Sequence, residues 1–344
     1  MSEAINPITD AWALVAEDAA RFDAALAEAL EPQRAYLTDL ERRLYSGGKK
    51  VRPLLLILAA KLVAPDRRLS HKAVQGAVSL EMLHVATLIH DDIVDEAAMR
   101  RGGPSVHAER GTAAAVLIGD LQFIQAIRVF ASSIDTEADM GLVRLVLDVG
   151  FKICCGELDE MADDAEAAAE IRRQRYFQTI DRKTAILFGL ACEVGATLAG
   201  ARTRQIAMLS HYGRSVGRAF QIMDDLFDLV QPSDASGKPR AADLAARRWT
   251  LPIINAHQDA GPGSALTSVM AGTMKAPEDI EAARQEVADS DGFTTAYHAA
   301  RAHALAGAAE LEGFPTGPFR DALMRIAHHV VDRGIGRPPS GEAP

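Results

Sequence analysis

The sequence predicts an all-α protein. Alanine is abundant and aromatic residues make up only 5% of the chain, a composition that suits packed helices better than a β-sandwich. Apolar residues recur at three- and four-residue steps through most of the length, the spacing of a helix face. Two of these apolar segments run into the same acidic pattern, Asp91-Asp92-Ile93-Val94-Asp95 and Asp224-Asp225-Leu226-Phe227-Asp228.

On a helix, positions i and i+4 share a face, so Asp91 aligns with Asp95 and Asp224 with Asp228. Three carboxylates within a turn repel one another unless cations lie between them. Hard cations such as Mg²⁺ suit the arrangement, because they take one or two carboxylates and leave sites for water and phosphate oxygens. Two such patches facing each other across a cavity would hold a diphosphate through bridging metals. One copy alone reads more readily as a solvated helix face. Two copies, each after an apolar helix, favour the metal.

The remaining composition sets bounds. The chain has 344 residues, 48% of them hydrophobic, enough for a large core, and it reads as one domain over residues 1–333. Its net charge of −10 argues against nucleic acid as a partner, but not against an anionic substrate met by a local cluster of cations. Three cysteines, Cys154, Cys155 and Cys192, do not make a disulfide framework, and the first two are expected to pack as small hydrophobes. The N-terminus lacks a basic segment followed by an apolar one, and the longest aliphatic run, Leu54 to Ala60, is too short to span a bilayer. These features predict a cytoplasmic protein without a transmembrane segment.

In chain order, residues 7–45 read as two helices, the second opened by Pro32. Gly47-Gly48-Lys49-Lys50-Val51-Arg52-Pro53 then opens a third, with Lys49 and Arg52 able to face one side at a helix N-terminus, an anion pocket or else a glycine hinge with solvated lysines. Residues 70–97 form a long helix, apolar nearly all round and so buried. His84, Thr87, Asp91 and Asp95 share a stripe on it, with small or polar Ala86 and Thr87 beneath the carboxylates, where a tunnel could run. Arg100-Arg101-Gly102-Gly103-Pro104 reads as a loop, its arginines a phosphate clamp or partners of the aspartates. Helices are expected over 111–131, which contains Gly119-Asp120, and over 139–161, which contains Gly156-Glu157, with a solvated acidic stretch at 159–164. Residues 171–200 contain Tyr176 and the Lys183-Thr184 pair, and residues 203–230 contain Gly213, Gly217, Gln221 and the second Asp cluster. The segment 231–240 is a polar loop placed where a lid would sit. Further amphipathic helices occupy 274–332, and residues 334–344 read as a disordered tail.

Taken together, these pieces resemble the trans-type polyprenyl diphosphate synthases, of geranylgeranyl or longer-chain type. The matching segments are Gly47-Gly48-Lys49-x-x-Arg52-Pro53, His90 to Asp95 with Arg100-Arg101-Gly102, Lys183-Thr184-Ala185, Phe220 to Asp228, Gly237-Lys238 and Thr250-Leu251-Pro252, in family order over roughly residues 40–260. The resemblance implies a single all-α helical bundle around a central active-site cavity, a homodimer, and head-to-tail joining of an allylic diphosphate to isopentenyl diphosphate. It implies that Asp91, Asp92, Asp95, Asp224, Asp225 and Asp228 hold Mg²⁺, about three ions per site. Arg100, Lys183 and Lys238 would contact the allylic diphosphate, with Thr184 and Gln221 near the developing cation. Lys49, Arg52, His84 and Arg101 would bind isopentenyl diphosphate. Ala86 and Thr87, where short-chain members carry bulky aromatics, imply a product longer than farnesyl, with Ile127 and Phe130 as candidate floor residues.

Two departures stand out: Ala241 where the family usually has glycine, and Arg247-Arg248 in place of a Gly-Lys pair before Thr-Leu-Pro. Alternatives are a class I terpene cyclase, a subunit of a heteromeric synthase, and a relative with a changed acceptor. The cyclase fits less well, because it has no use for a second diphosphate site at Lys49, Arg52 and Arg101.

Overall fold

The computed structural model describes residues 6–161, 167–230 and 240–332. They are helical apart from connections and one two-stranded hairpin. By backbone contacts the chain divides into two compact units: residues 1–151, 187–213 and 310–326, and residues 152–186, 214–309 and 327–344. The predicted loop 231–240, except Arg240, and the tail 334–344 lie outside the described residues.

In the first unit the N-terminal segment is three helices, not two: α1 (Pro7–Leu14), α2 (Ala16–Leu30) and α3 (Asp39–Ser46). The chain leaves helical geometry at Val15, and Pro32 lies in a 3₁₀ turn (Glu31–Gln33) instead of opening a long helix. The start of α3 is set by a capping box. The Thr38 hydroxyl and backbone N–H both donate to Glu41, at 2.5 and 2.7 Å. Arg110 then donates to the buried Glu41 carboxylate at 2.6 Å.

α4 (Val51–Val63) buries its whole Leu54–Ala60 run. α5 (His71–Val94), capped by Ser70, packs along α7 (Thr112–Ser133) and also against α4 and α2. Gly195 lets α10 (Ile186–Leu198) cross α4 backbone to backbone, because a Cβ there would sit 2.2 Å from the Leu56 carbonyl oxygen. Between α5 and α7 lies α6 (Val106–Arg110), preceded by β1 (Met99–Arg100) and β2 (Gly103–Pro104). The expected Arg-rich loop is this hairpin. Arg101 and Gly102 both have positive φ (48° and 75°), as a two-residue type I′ turn requires.

α7 is long and apolar enough to cross a bilayer by length and composition, unlike the Leu54–Ala60 run. Its inner face, however, buries hydrogen-bonded glutamines. Gln122 exchanges bonds with Gln33 (2.9 and 3.1 Å) and accepts from the Tyr45 hydroxyl (2.6 Å), while Gln125 donates to the Ala29 carbonyl (2.7 Å). Such groups are satisfied inside a protein core. The next helix is α8 (Met140–Met161). Cys154 on it is exposed and Cys155 only half-buried, contrary to the packing expected of them, because Cys154 shares the outward stripe of Leu147, Phe151 and Leu158.

The second unit contains α9 (Ala169–Ile180), which runs into a π-turn (Asp181–Ala185) before α10. α11 (Thr203–Val230) carries the second acidic pattern. α12 (Ala242–Ala245), α13 (Leu251–Asp259), α14 (Ala265–Met270), α15 (Pro277–Asp289) and α16 (Asp291–Glu310) complete it, with α17 (Pro318–Asp332) closing the described chain. α13 packs on α9 and α15, and α14 on α15. The buried Arg284 of α15 donates to the Leu229 carbonyl at 3.0 Å, capping the end of α11.

Candidate active site

Both acidic motifs lie at helix C-termini. Asp91 and Asp92 occupy the last turn of α5 and Asp95 caps it, while Asp224, Asp225 and Asp228 occupy the last two turns of α11. The negative end of the helix dipole disfavours anions there. Local energetics therefore oppose both clusters, and a cation relieves that opposition. Within each motif the second aspartate is buried (Asp92 at 1% exposure, Asp225 at 5%), whereas Asp91, Asp95, Asp224 and Asp228 are half-buried. The i,i+4 pairs are thus the more accessible carboxylates of each motif. Among the described residues no three His, Cys, Asp or Glu side chains converge to hold a metal by themselves. This donor set fits Mg²⁺, which keeps water and substrate oxygens in most of its coordination sphere.

In the first unit, Arg100 donates through Nε (2.8 Å) and Nη2 to the same oxygen of Asp92, a charge-assisted pair 17% and 2% exposed. Arg101 donates to the Leu44 and Gly47 carbonyls. Gly48 (φ +82°) leaves room for it, since a Cβ there would meet the guanidinium at 2.9 Å. Arg52 lies over the Phe188 ring at 4.8 Å, and the Lys49 carbonyl accepts from the Trp12 indole at 3.1 Å. Burial, then Arg52, Arg101 and Arg100 in that order, push the His84 imidazole well below its ordinary pKa and keep it neutral. The structure therefore brings Arg52, Arg100, Arg101 and His84 within electrostatic reach of one another.

His90 nests against Gly119 of α7, where a Cβ would sit 2.2 Å from its ring, which gives the Gly119-Asp120 pair a purpose. Deeper on α5, an apolar cavity is lined by Gly76, Ser79, Leu80, Leu83, Phe130 and Val194 among others. Phe130 is among the side chains that line it. Ala86, Thr87 and Ile127 are not among its lining; Ala86 is fully buried, and Thr87 donates back to the His84 carbonyl at 2.8 Å.

In the second unit, the π-turn carries Lys183 and Thr184. A π-turn holds one extra residue, so it rotates the residues after it by roughly 100° relative to an unbroken α-helix. Arg218 braces it with two bonds to Asp181, at 2.5 and 2.7 Å. Gly156 admits it closely, because a Cβ there would sit 3.0 Å from the Lys183 nitrogen. Lys183 donates to Glu157 (2.8 Å) and Glu160 (2.7 Å), and Arg182 pairs with Asp159 (2.5 Å). The start of the acidic stretch is therefore engaged in ion pairs instead of being simply solvated.

Thr184 donates to the Gln221 carbonyl oxygen at 2.7 Å, and the Gln221 amide donates to Asp225 at 3.0 Å. Tyr176 donates to the other Asp225 oxygen at 2.6 Å. Burial first, and then Asp243, raise the Asp225 pKa well above the usual carboxylate range, while the Tyr176 and Gln221 bonds act in the opposite direction. Both oxygens of Asp228 accept from backbone N–H groups, those of Ala242 and Asp243, at 3.1 Å. Lys238 lies outside the described residues.

The two departures from the family pattern fall on left-handed backbone: Ala241 has φ +56° and Arg247 has φ +55°. Glycine suits such positions, and other residues carry a conformational cost there. Arg248 pairs with Asp243 at 3.6 Å, and Trp249 is covered by Arg172 at 3.5 Å from its ring centroid. Tyr176, Glu157 and Glu160 are the side chains whose place in the site was not anticipated.

Comparison with known proteins identifies the family. The Polyprenyl synthetase family matches residues 34–287. A short chain isoprenyl diphosphate synthase of Methanothermobacter thermautotrophicus is 33% identical over 85% of this chain and 89% of its own. A nonaprenyl diphosphate synthase of Mycobacterium tuberculosis is 34% identical over 84% of each chain. A solved polyprenyl synthase from Caulobacter crescentus, in complex with calcium and isoprenyl diphosphate, superposes with a TM-score of 0.86 at 28% identity, covering 95% of this chain and 98% of that one. The chain belongs to the polyprenyl synthetase family and is an enzyme of the polyprenyl diphosphate synthase class.

Proposed function

We propose that the protein extends an allylic diphosphate head to tail with isopentenyl diphosphate, giving a polyprenyl diphosphate longer than farnesyl. The observation that carries this reading is the gathering of Arg52, Arg100 and Arg101 around a neutral His84, beside the acidic end of α5, in a chain of net charge −10. Cations concentrated against the global charge mark an anion site. A cyclase, which consumes one diphosphate, leaves Lys49, Arg52 and Arg101 without a purpose.

Asp91, Asp92, Asp95, Asp224, Asp225 and Asp228 are assigned to Mg²⁺, about three ions per site. When bound, Mg²⁺ neutralises the charge that develops on the leaving diphosphate. Arg100, Lys183 and Lys238 hold the allylic diphosphate. For Lys183 this means exchanging Glu157 and Glu160 for phosphate oxygens. Lys49, Arg52, His84 and Arg101 hold isopentenyl diphosphate, with His84 as a neutral donor. The Thr184 hydroxyl and the Gln221 carbonyl oxygen present partial negative charge to the allylic cation. Apolar side chains keep water from that cation. The alkene of isopentenyl diphosphate forms the new C–C bond, and its proton leaves to the departed diphosphate, so no side-chain base is needed. We assign residues 1–333 to one catalytic domain, within which the family match covers residues 34–287.

Purified protein given Mg²⁺, isopentenyl diphosphate and an allylic primer should yield a ladder of products ending beyond farnesyl after dephosphorylation and mass analysis. Asp91→Ala and Asp224→Ala should each lower turnover by about a hundred- to a thousandfold, as loss of preorganised charge stabilisation does. Absence of elongation by the wild-type chain with every primer would overturn the reading, in favour of a heteromeric subunit or a changed acceptor.

A further inference from the structure

The two acidic motifs repeat one arrangement with different chemistry. In each, the inner aspartate is buried and the outer pair is half-buried. The inner aspartate of the first motif, Asp92, is held by a cation, Arg100. The inner aspartate of the second motif, Asp225, is held by neutral donors: Tyr176 on one oxygen at 2.6 Å and Gln221 on the other at 3.0 Å.

Tyr176 is well placed to be rigid. It is 7% exposed and sits on α9, one helical stretch before the π-turn, with the Phe177 ring edge-on at 5.4 Å. Its hydroxyl fixes the Asp225 carboxylate plane from one side. Gln221 fixes it from the other and is itself fixed, because its carbonyl oxygen accepts from Thr184. Without the tyrosine donor, Asp225 could turn about its terminal bond, which is a soft torsion. Neutral donors orient a carboxylate without cancelling its charge. Both oxygens of Asp225 are thus held in place by neutral donors, whereas Asp92 is held by a cation.

We propose that Tyr176 is a positioning residue for the reaction: through Asp225 it orients the second acidic motif and thereby sets the Mg²⁺ concentration that the enzyme requires. This rests on the assignment of that motif to Mg²⁺. It adds a residue that the metal-binding pattern itself does not contain.

The test is Tyr176→Phe, which removes only the hydroxyl. Two titrations with Mg²⁺ are made. One follows turnover; the other follows thermal stabilisation of the full chain by inorganic pyrophosphate, without reaction. The expected result is a rise of roughly tenfold in the half-saturating Mg²⁺ concentration in both, the scale of one lost hydrogen bond to a charged group. KM for isopentenyl diphosphate stays at the wild-type value, and the melting temperature without ligand falls by a few degrees at most. In an Asp225→Asn background, Tyr176→Phe should add no further shift, because its partner is already changed. Unchanged Mg²⁺ midpoints in Tyr176→Phe would overturn the proposal. So would an equal loss of every parameter alongside a large fall in melting temperature, or an additive shift in the double variant. Failure of the wild-type chain to elongate any primer sinks the activity reading instead, while the pyrophosphate titration still reads Tyr176.

Discussion

Single residues in this site are tuned by their neighbours, and His84 shows it best. The half-buried His84 imidazole is pushed well below its ordinary pKa by desolvation and by the charges of Arg52, Arg101 and Arg100, and so stays neutral at physiological pH. The sign of that shift has two consequences. Below the ordinary histidine pKa the unfolded chain takes up a proton that the native chain refuses, so His84 contributes stability that is lost as pH falls. In catalysis, no ionisation of His84 should mark the KM for isopentenyl diphosphate between pH 6 and 8. Accordingly His84→Gln, which keeps a neutral donor, should leave that KM within about threefold, and His84→Ala should raise it roughly tenfold, the worth of one hydrogen bond to a charged group. Steady-state kinetics against pH would check both. A wild-type KM that rises or falls with a midpoint near 6.5 would show that the imidazole titrates normally.

At the scale of the element, α5 joins the acidic end to the apolar cavity, and the two ends were not equally legible in the sequence. Asp91, Asp92 and Asp95, the small residues beneath them, and Phe130 could be read from spacing and resemblance, because helix periodicity places side chains on faces. Their partners could not. Tyr176 meets Asp225 across 49 residues of sequence, and Lys183 meets Glu157 across 26, separations that no local pattern encodes. The break at Val15 carries neither glycine nor proline to announce it. The start of α3 does carry a local signal, Thr38 and Glu41 at capping-box spacing, which apolar periodicity alone passes over. Likewise Ala241 and Arg247 conceal left-handed positions that glycine would have advertised.

What α5 does predict is product length. Ala86→Phe would place an aromatic ring one turn before Asp91 and should shorten the longest product. Phe130→Leu would enlarge the cavity lined by Gly76 and Ser79 and should lengthen it by at least one isoprene unit. Mass analysis of dephosphorylated products decides; an unchanged ladder in both variants would remove α5 and Phe130 from the determination of length.

The whole molecule poses the question of what covers its exposed apolar side chains. Val116, Leu117 and Ile124 on α7 and Met140, Leu147 and Phe151 on α8 are all exposed, Phe151 at 72% and Leu117 at 68%. Leu117 and Ile124 are seven residues apart, as are Met140 and Leu147, so each helix presents a continuous stripe of the kind that packs against other helices. We propose a second copy of the chain as its partner, as the resemblance to the polyprenyl diphosphate synthases implies. A two-fold interface would use each side chain twice, twelve in all. At roughly 1–2 kcal/mol each on burial, somewhat below the value for full burial, they would contribute about 12–24 kcal/mol, which exceeds the association cost of roughly 4–15 kcal/mol over most of that range. A charge at such a position is likewise introduced twice. Phe151→Asp and Leu117→Asp should therefore each convert a dimer into a 36.8 kDa monomer at micromolar concentration, measured by sedimentation equilibrium. Neither substitution touches a residue assigned to substrate or metal, so loss of the dimer can be compared directly with elongation by the same sample. A wild-type chain that sediments as a monomer, or variants that remain dimeric, would assign these stripes to some other role.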